Sequence, residues 1–293
     1  MRENVLFLMT DARHFGVTYQ INPWMQPDAW QAGRPSLEAA AMQSAAGLAA
    51  ALGNIGAKVE TMPAVADLPD LVFPANAATI LDGRVLLARF RHPERQGEEE
   101  VFRAAFLGLQ ARGLIEDVID LPDGVLQEGA GDCIWDQDRG LFWAGYGQRS
   151  SVNSLPAIAD TFGQPVIGLE LATDRFYHLD TCFCPLSGGR LLYYPPAFTP
   201  EALATIHAHV KPQDRLVATN EDAAAFCVNA VNVGRHIVMA KAPAALRKRL
   251  TALGYSVNEV DLSPFILSGG GAYCMTLRLD RTSRPGAMSL AAE

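Results

Sequence analysis

One short design recurs along the chain, and no other feature constrains its fold as strongly. An apolar segment, a Gly/Asp turn with an arginine beside it, and a second apolar segment appear in "ATILDGRVLLARF" (78–90), "CIWDQDRGLFWAGY" (133–146), "CPLSGGRLLYYPP" (184–196) and "VNVGRHIVMA" (231–240). Such β-prone runs around glycine turns signal hairpins. Their turn arginines stand at 84, 139, 190 and 235, a spacing that drifts from 55 to 51 to 45 residues. Helix patterns accompany them at 94–113, at 199–210 with Thr199 as N-cap and Pro200 behind it, and at 242–254. A fourth is expected over 35–56, with Ser36 as N-cap and Gly53 or Gly56 as terminator. Short strands then follow, as in "EDVIDLP", "PVIGLEL" and "YSVNEVDL". Counting "NVLFLMT" and "GVTYQIN" as a less regular first hairpin, five strand–strand–helix–strand units result. Radial repetition of such units predicts an α/β fold, a five-bladed α/β propeller with pseudo-fivefold ββαβ repeats. No Pro/Ser-rich or charged linker interrupts the pattern, so residues 1–293 are expected to form a single domain.

With 49% hydrophobic residues the chain can bury a large core, yet no apolar run is long enough to span a bilayer. Its N-terminal segment has charges on both sides of a short apolar run and no small-residue cleavage pattern, so a cytoplasmic protein is expected. Five scattered cysteines argue against a disulfide framework. A net charge of −8, with no basic cluster beyond "RKR" at 247–249, speaks against nucleic acid or a membrane surface and for a small-molecule substrate. Neither a GxGxxG-like signal nor a P-loop is present, and no cofactor is indicated. The oligomeric state is left open.

Toward the C-terminus, "SGGGAYCMTL" (268–277) sets three glycines before a cysteine. Glycine in a β pattern most often marks a bulge or tight connection. The alternative is that bare backbone lets a ligand reach Cys274. Polar residues also interrupt the first strands at matching places: Asn22, Asn76, Glu128 with Asp132, and His178 with Asp180. In a radial fold equivalent positions share one axis, where carboxylates, amides and a histidine are tolerated only with partners or a ligand. His178, Cys182 and Cys184 form H-x3-C-x-C, but a zinc site lacks a fourth ligand nearby, and no metal is expected.

The ordered set "INPWM", "FPANA", "ERQGEE", "EGAGD", "GYGQRS", "FYHLDTCFCPL", "YYPPAF", "NAVN" and "SGGGAYCMTLRL" resembles the guanidine-modifying, or pentein, superfamily over nearly the whole chain. That superfamily contains amidinotransferases, arginine deiminases, dimethylargininases and arginine dihydrolases on a five-bladed propeller. The sequence looks most like the arginine dihydrolases, which carry an Asn where deiminases and dimethylargininases carry an Asp; here it is Asn76. The resemblance implies Cys274 as nucleophile, His178 as general acid/base and Glu128 as its supporting carboxylate. Asn22, Asn76, Arg95, Asp132, Asp180 and Arg149 are implied as substrate-binding residues. The implied reaction is cysteine-dependent hydrolysis of arginine to ornithine, ammonia and carbon dioxide through a covalent thiouronium. Dimethylargininase or deiminase activity giving citrulline is the alternative, and a non-enzymatic propeller binding module the remote one. The latter has no need of an axial thiol, histidine and carboxylates.

Overall fold

The computed structural model describes residues 5–283. Each recurrent segment forms the expected hairpin: β3 (Ala78–Leu81) with β4 (Arg84–Leu87), β6 (Cys133–Asp136) with β7 (Leu141–Tyr146), β9 (Phe183–Leu186) with β10 (Arg190–Tyr193), and β12 (Val231–Val233) with β13 (His236–Ala240). A third strand adds parallel to the second in every case: β5 (Asp117–Ile119), β8 (Val166–Glu170), β11 (Arg215–Val217) and β14 (Ser256–Val260). A helix makes each crossover: Glu98–Ala111, Ser154–Phe162, Pro200–His209 and Ala244–Ala252. The first turn shows why glycine and aspartate recur. Asp82 and Gly83 both take positive φ, 51° and 73°, as a turn matching the right-handed strand twist requires.

The repeated turn arginine has a structural reason. Arg84 donates to the Thr161 carbonyl, Arg139 to the Gly189 carbonyl at 2.6 Å, and the Arg190 guanidinium lies 6.0 Å from the Tyr255 ring centre. Each thus fastens its hairpin to the following unit.

The fifth sheet departs from expectation. "GVTYQIN" is not a strand; β1 (Leu6–Thr10) pairs parallel with β2 (Lys58–Met62) and antiparallel with β15 (Leu277–Arg278), matching Leu8 to Leu277. The sheet order β15-β1-β2 reproduces the others with its hairpin partner drawn from the far end of the sequence. Its helix also starts earlier, spanning Pro27–Asn54 with Pro35 inside it, and Ser36 donates to the Gly33 carbonyl instead of capping. Thr199 does cap as expected, accepting from the Ala202 N–H.

Helices bury one face on their sheets. Phe102, Phe106 and Leu109 pack on Ile80, Val85 and Leu87, so Phe106→Ala is expected to cost about 3–5 kcal/mol. The polar interruptions are not on the strands themselves. Asn76, Asp132 and Asp180 sit in short helical turns, Pro74–Asn76, Gly129–Asp132 and Leu179–Thr181, just before the first strand of their sheets; Glu128 and His178 flank two of these turns.

Candidate active site

Short turns ahead of the strands free their side chains from the ladders and let them converge on Cys274, itself 2% exposed. Its Sγ donates to Asp180 Oδ2 at 3.1 Å and accepts from Asn229 Nδ2 at 3.0 Å. Burial and the negative Asp180 push the thiol well above its usual range. Burial likewise pushes Asp180 up to about 7, against the Cys274 and Asn229 hydrogen bonds. The second carboxyl oxygen, Oδ1, is buried without a partner. Such an orphan acceptor costs about 1–3 kcal/mol and is relieved by an incoming N–H donor.

Beside this pair, His178 Nε2 lies 2.7 Å from Glu128 Oε2, and its Nδ1 lies 3.3 Å from Asn76 Nδ2. An amide nitrogen only donates, so Nδ1 accepts and the ring proton sits on Nε2, facing Glu128. Glu128 also accepts from Arg149 Nη1 at 3.2 Å and from the Arg91 N–H at 3.0 Å. Burial opposes its charge, but Arg149 and the His178 hydrogen bond outweigh that and hold it far below the usual carboxylate range.

Asn76 is fixed at its other end. Arg95 Nη1 donates to Asn76 Oδ1 at 2.9 Å, while Arg95 Nε and Nη2 grip Glu98 at 2.9 and 2.7 Å and Nη2 reaches the Asp70 carbonyl at 3.2 Å. Arg95 thereby sets the amide orientation, with the NH2 turned toward His178.

Asn22, Asn76, Arg95, Arg149 and Cys274 line one narrow cavity with Asp70, Phe73 and Tyr177. Its free volume is about 10 Å³, less than arginine needs. The segment bearing Ile21 and Asn22 closes it. Arg149 Nη2 holds the Ile21 carbonyl at 2.9 Å, and Asn22 donates to the Ser268 carbonyl at 3.1 Å while accepting from the Trp24 N–H at 2.8 Å. Asn22 therefore has its polar atoms engaged within the protein. Asp132 stands behind the cluster, accepting from Ser150 Oγ at 2.6 Å and the Leu179 N–H at 3.0 Å; burial pushes it up to about 6. It braces the turn that carries His178.

The glycine run does something other than clear a wall for a ligand. A Cβ at Gly270 would meet the Phe73 ring at 2.1 Å, and one at Gly271 would meet Asn229 Oδ1 at 2.7 Å. Bare backbone there admits the protein's own side chains; only Gly270 also lines the cavity.

Sequence reasoning passed over Asn229, Asp70 and Glu98. Asn229 Oδ1 accepts from the Tyr273 and Cys274 N–H groups at 3.0 and 3.2 Å. A signal existed: Asn229 precedes β12 by two residues, as Asn76 precedes β3. Cys182 and Cys184 donate only to backbone carbonyls, and no metal-holding group of three or more His, Cys, Asp or Glu occurs among the described residues.

A family model described as N,N dimethylarginine dimethylhydrolase, eukaryotic, matches residues 13–281. The bifunctional arginine dihydrolase/ornithine cyclodeaminase ArgZ of Synechocystis is 40% identical over 285 residues, 97% of this chain but 39% of that protein. This chain thus spans about two-fifths of that relative. The N(G),N(G)-dimethylarginine dimethylaminohydrolase of Mycobacterium tuberculosis is 33% identical, covering 93% of this chain and 85% of its own length. The product-bound crystal structure of the N-terminal domain of ArgZ superposes with a TM-score of 0.89 at 39% identity over 97% of this chain and all of that one.

Proposed function

The chain belongs to the N,N-dimethylarginine dimethylhydrolase family, and from that premise we propose that it is a cysteine-dependent hydrolase that converts arginine to ornithine, ammonia and carbon dioxide. The observation that carries the reading is the orientation of Asn76, whose NH2 is turned toward His178 by Arg95. A donor there suits a neutral ureido oxygen, whereas a carboxylate suits only the cationic guanidinium.

The unliganded thiol is protonated, and the guanidinium supplies the missing positive charge beside Asp180. Cys274 passes its thiol proton to His178 Nδ1 as Sγ attacks the guanidinium carbon, and the tetrahedral adduct expels ammonia with that same proton. Water, giving its proton back to Nδ1, then attacks the thiouronium carbon and releases the thiolate, leaving citrulline. Asn76 holds the ureido oxygen while the thiolate attacks the same carbon again. A second ammonia departs, and hydrolysis of the thiocarbamate gives a carbamate that loses carbon dioxide to leave ornithine. Glu128 fixes the imidazole throughout, and Arg149 and Arg95 steady the carboxylates around it. Entry of arginine requires the segment 19–25 to swing off the cavity.

The same reading closes the five sheets into a propeller of one domain, supported by the pairing of β15 with β1. Five unpaired cysteines fit a reducing compartment, the cytoplasm. No helix among the described residues is long and apolar enough to cross a membrane.

Incubation with arginine, followed by quantitation of ornithine, citrulline and ammonia, tests the proposal. Two ammonia per ornithine is expected. Stoichiometric citrulline without ornithine replaces it with a deiminase, and methylamine release from methylated arginine alone replaces it with a dimethylargininase.

A further inference from the structure

Glu98 is fully buried, does not line the thiol cavity, and gives both carboxylate oxygens to one partner. It opens the helix Glu98–Ala111, and Arg95 stands in the helical turn Pro93–Gln96 directly before it. Oε1 accepts from Arg95 Nε at 2.9 Å and Oε2 from Nη2 at 2.7 Å. A planar guanidinium gripped at two corners cannot turn. The Asp70 carbonyl also accepts from Nη2 at 3.2 Å, and the Phe90 ring covers one face, its centre 4.4 Å from Arg95 Cζ. Nη1 is the nitrogen left over, and it donates to Asn76 Oδ1 at 2.9 Å.

This grip has a directional consequence, because an amide has one accepting end and one donating end. With Nη1 fixed against Oδ1, the reverse orientation would set the Asn76 NH2 against a guanidinium donor and turn Oδ1 toward His178. A hydrogen bond from a charged donor favours the observed orientation by roughly tenfold or more. The Glu128 carbonyl, 3.5 Å from Asn76 Nδ2, is at the limit of a hydrogen bond and adds little to the choice. We infer that Glu98 is a positioning residue that, acting through Arg95, holds the donating end of Asn76 toward His178 and thereby sets how much citrulline is carried on to ornithine. The amide orientation belongs to the resting protein, whereas the effect on products rests on the arginine hydrolysis proposed above.

Glu98→Gln keeps the size of the side chain but offers Arg95 one oxygen instead of two, which releases the guanidinium. An amide free in both orientations presents its donor half the time, so the citrulline-to-ornithine ratio should rise about twofold or more, and at most to that of Asn76→Asp, which has no donor. Added to Asn76→Asp, the same substitution should leave the ratio unchanged, because a carboxylate has no donating end to orient; a merely structural loss would add. A second readout needs no turnover. NMR cross-relaxation between the Asn76 NH2 protons and the His178 ring is expected in the wild type, with the signals identified by their absence from Asn76→Asp and His178→Asn. It should fall by about half or more in Glu98→Gln and persist in Glu100→Gln, whose side chain is exposed. Should Glu98→Gln not fold, Glu98→Asp, which keeps the charge but draws it back by one methylene, should move both readouts in the same direction. Absence of the cross-peak in the wild type, a wild-type cross-peak or ratio in the Glu98 variant, or the same rise in ratio with and without the Asn76 amide overturns the role of Glu98. If the wild type releases citrulline and no ornithine, the dihydrolase reading falls and the cross-peak alone decides: its loss in the Glu98 variant upholds the positioning, and its persistence overturns it.

Discussion

Replacing Asn76 by aspartate changes the fewest atoms while bearing directly on the second half of the proposed reaction. Oδ1 keeps its bond from Arg95 Nη1, so the side chain should stay in place. The change falls on the atom now 3.3 Å from His178 Nδ1, where a donor becomes an acceptor. For the guanidinium this adds charge pairing. For citrulline it deletes one hydrogen bond and sets oxygen against oxygen. Losing such a bond and leaving the acceptor unsatisfied is worth about 1–3 kcal/mol, or roughly 5- to 150-fold in the partition between second attack and release. In Asn76→Asp the citrulline-to-ornithine ratio should rise by that factor while arginine consumption falls less. Chromatographic quantitation of both amino acids during a single turnover measures it. An unchanged ratio with full arginine consumption refutes the role given to the amide.

Cys274→Ser should fold and bind arginine in calorimetry but lose turnover by several orders of magnitude. His178→Asn should impair breakdown of the adduct more than its formation, so intact-protein mass spectrometry should find a covalent species on Cys274. Asn229→Ala removes the donor to the sulfur, and alkylation of Cys274 by iodoacetamide at neutral pH should slow about ten- to hundredfold, its pH profile moving upward. Asp180 and Glu98 are pushed up to about 7 and Asp132 to about 6, so the folded state binds these protons more tightly than the unfolded chain. Stability of the unliganded protein, read as the urea midpoint, should therefore fall as pH rises from about 4 to 7. Glu128, shifted the opposite way, contributes stability that is lost only on acidification below the ordinary carboxylate range. Cation binding favours the ionised carboxylates, and arginine should release protons on binding to Cys274→Ser near pH 6.5; no dependence on buffer ionisation enthalpy counts against Asp180 as its partner.

The hairpins were legible because their signals are local: a turn of known chemistry between two apolar runs, written four times. The first sheet was not, because its pairing of Leu8 with Leu277 leaves no local mark and "GVTYQIN" has β composition without a ladder to join. Cys274, His178 and Glu128 were brought together by resemblance, and His178 and Glu128 also by the matching polar positions expected on the first strands. What they do to one another was hidden. Whether Arg95 holds a substrate or orients Asn76 depends on a side-chain angle no sequence states, and Asn229, quoted within "NAVN", gains its meaning only from the 3.0 Å that separates it from sulfur. The reason for the glycines is not legible in the sequence because the residues that crowd them, Phe73 and Asn229, lie far off along the chain.

The pairing of β1 with β15 also orders events during synthesis. Four sheets draw their strands from one stretch each and can assemble as that stretch leaves the ribosome. The sheet holding Leu8 waits until Leu277 has emerged, some 270 residues later. At about 5–20 residues per second, that leaves the apolar edge of β1 without its antiparallel neighbour for roughly 15–55 s. Cys274 lies three residues ahead of Leu277, so the proposed nucleophile arrives with the strand that completes this sheet. A ribosome-bound chain stopped before Cys274 holds neither the thiol nor β15, and a truncated product exposes a free edge of β1.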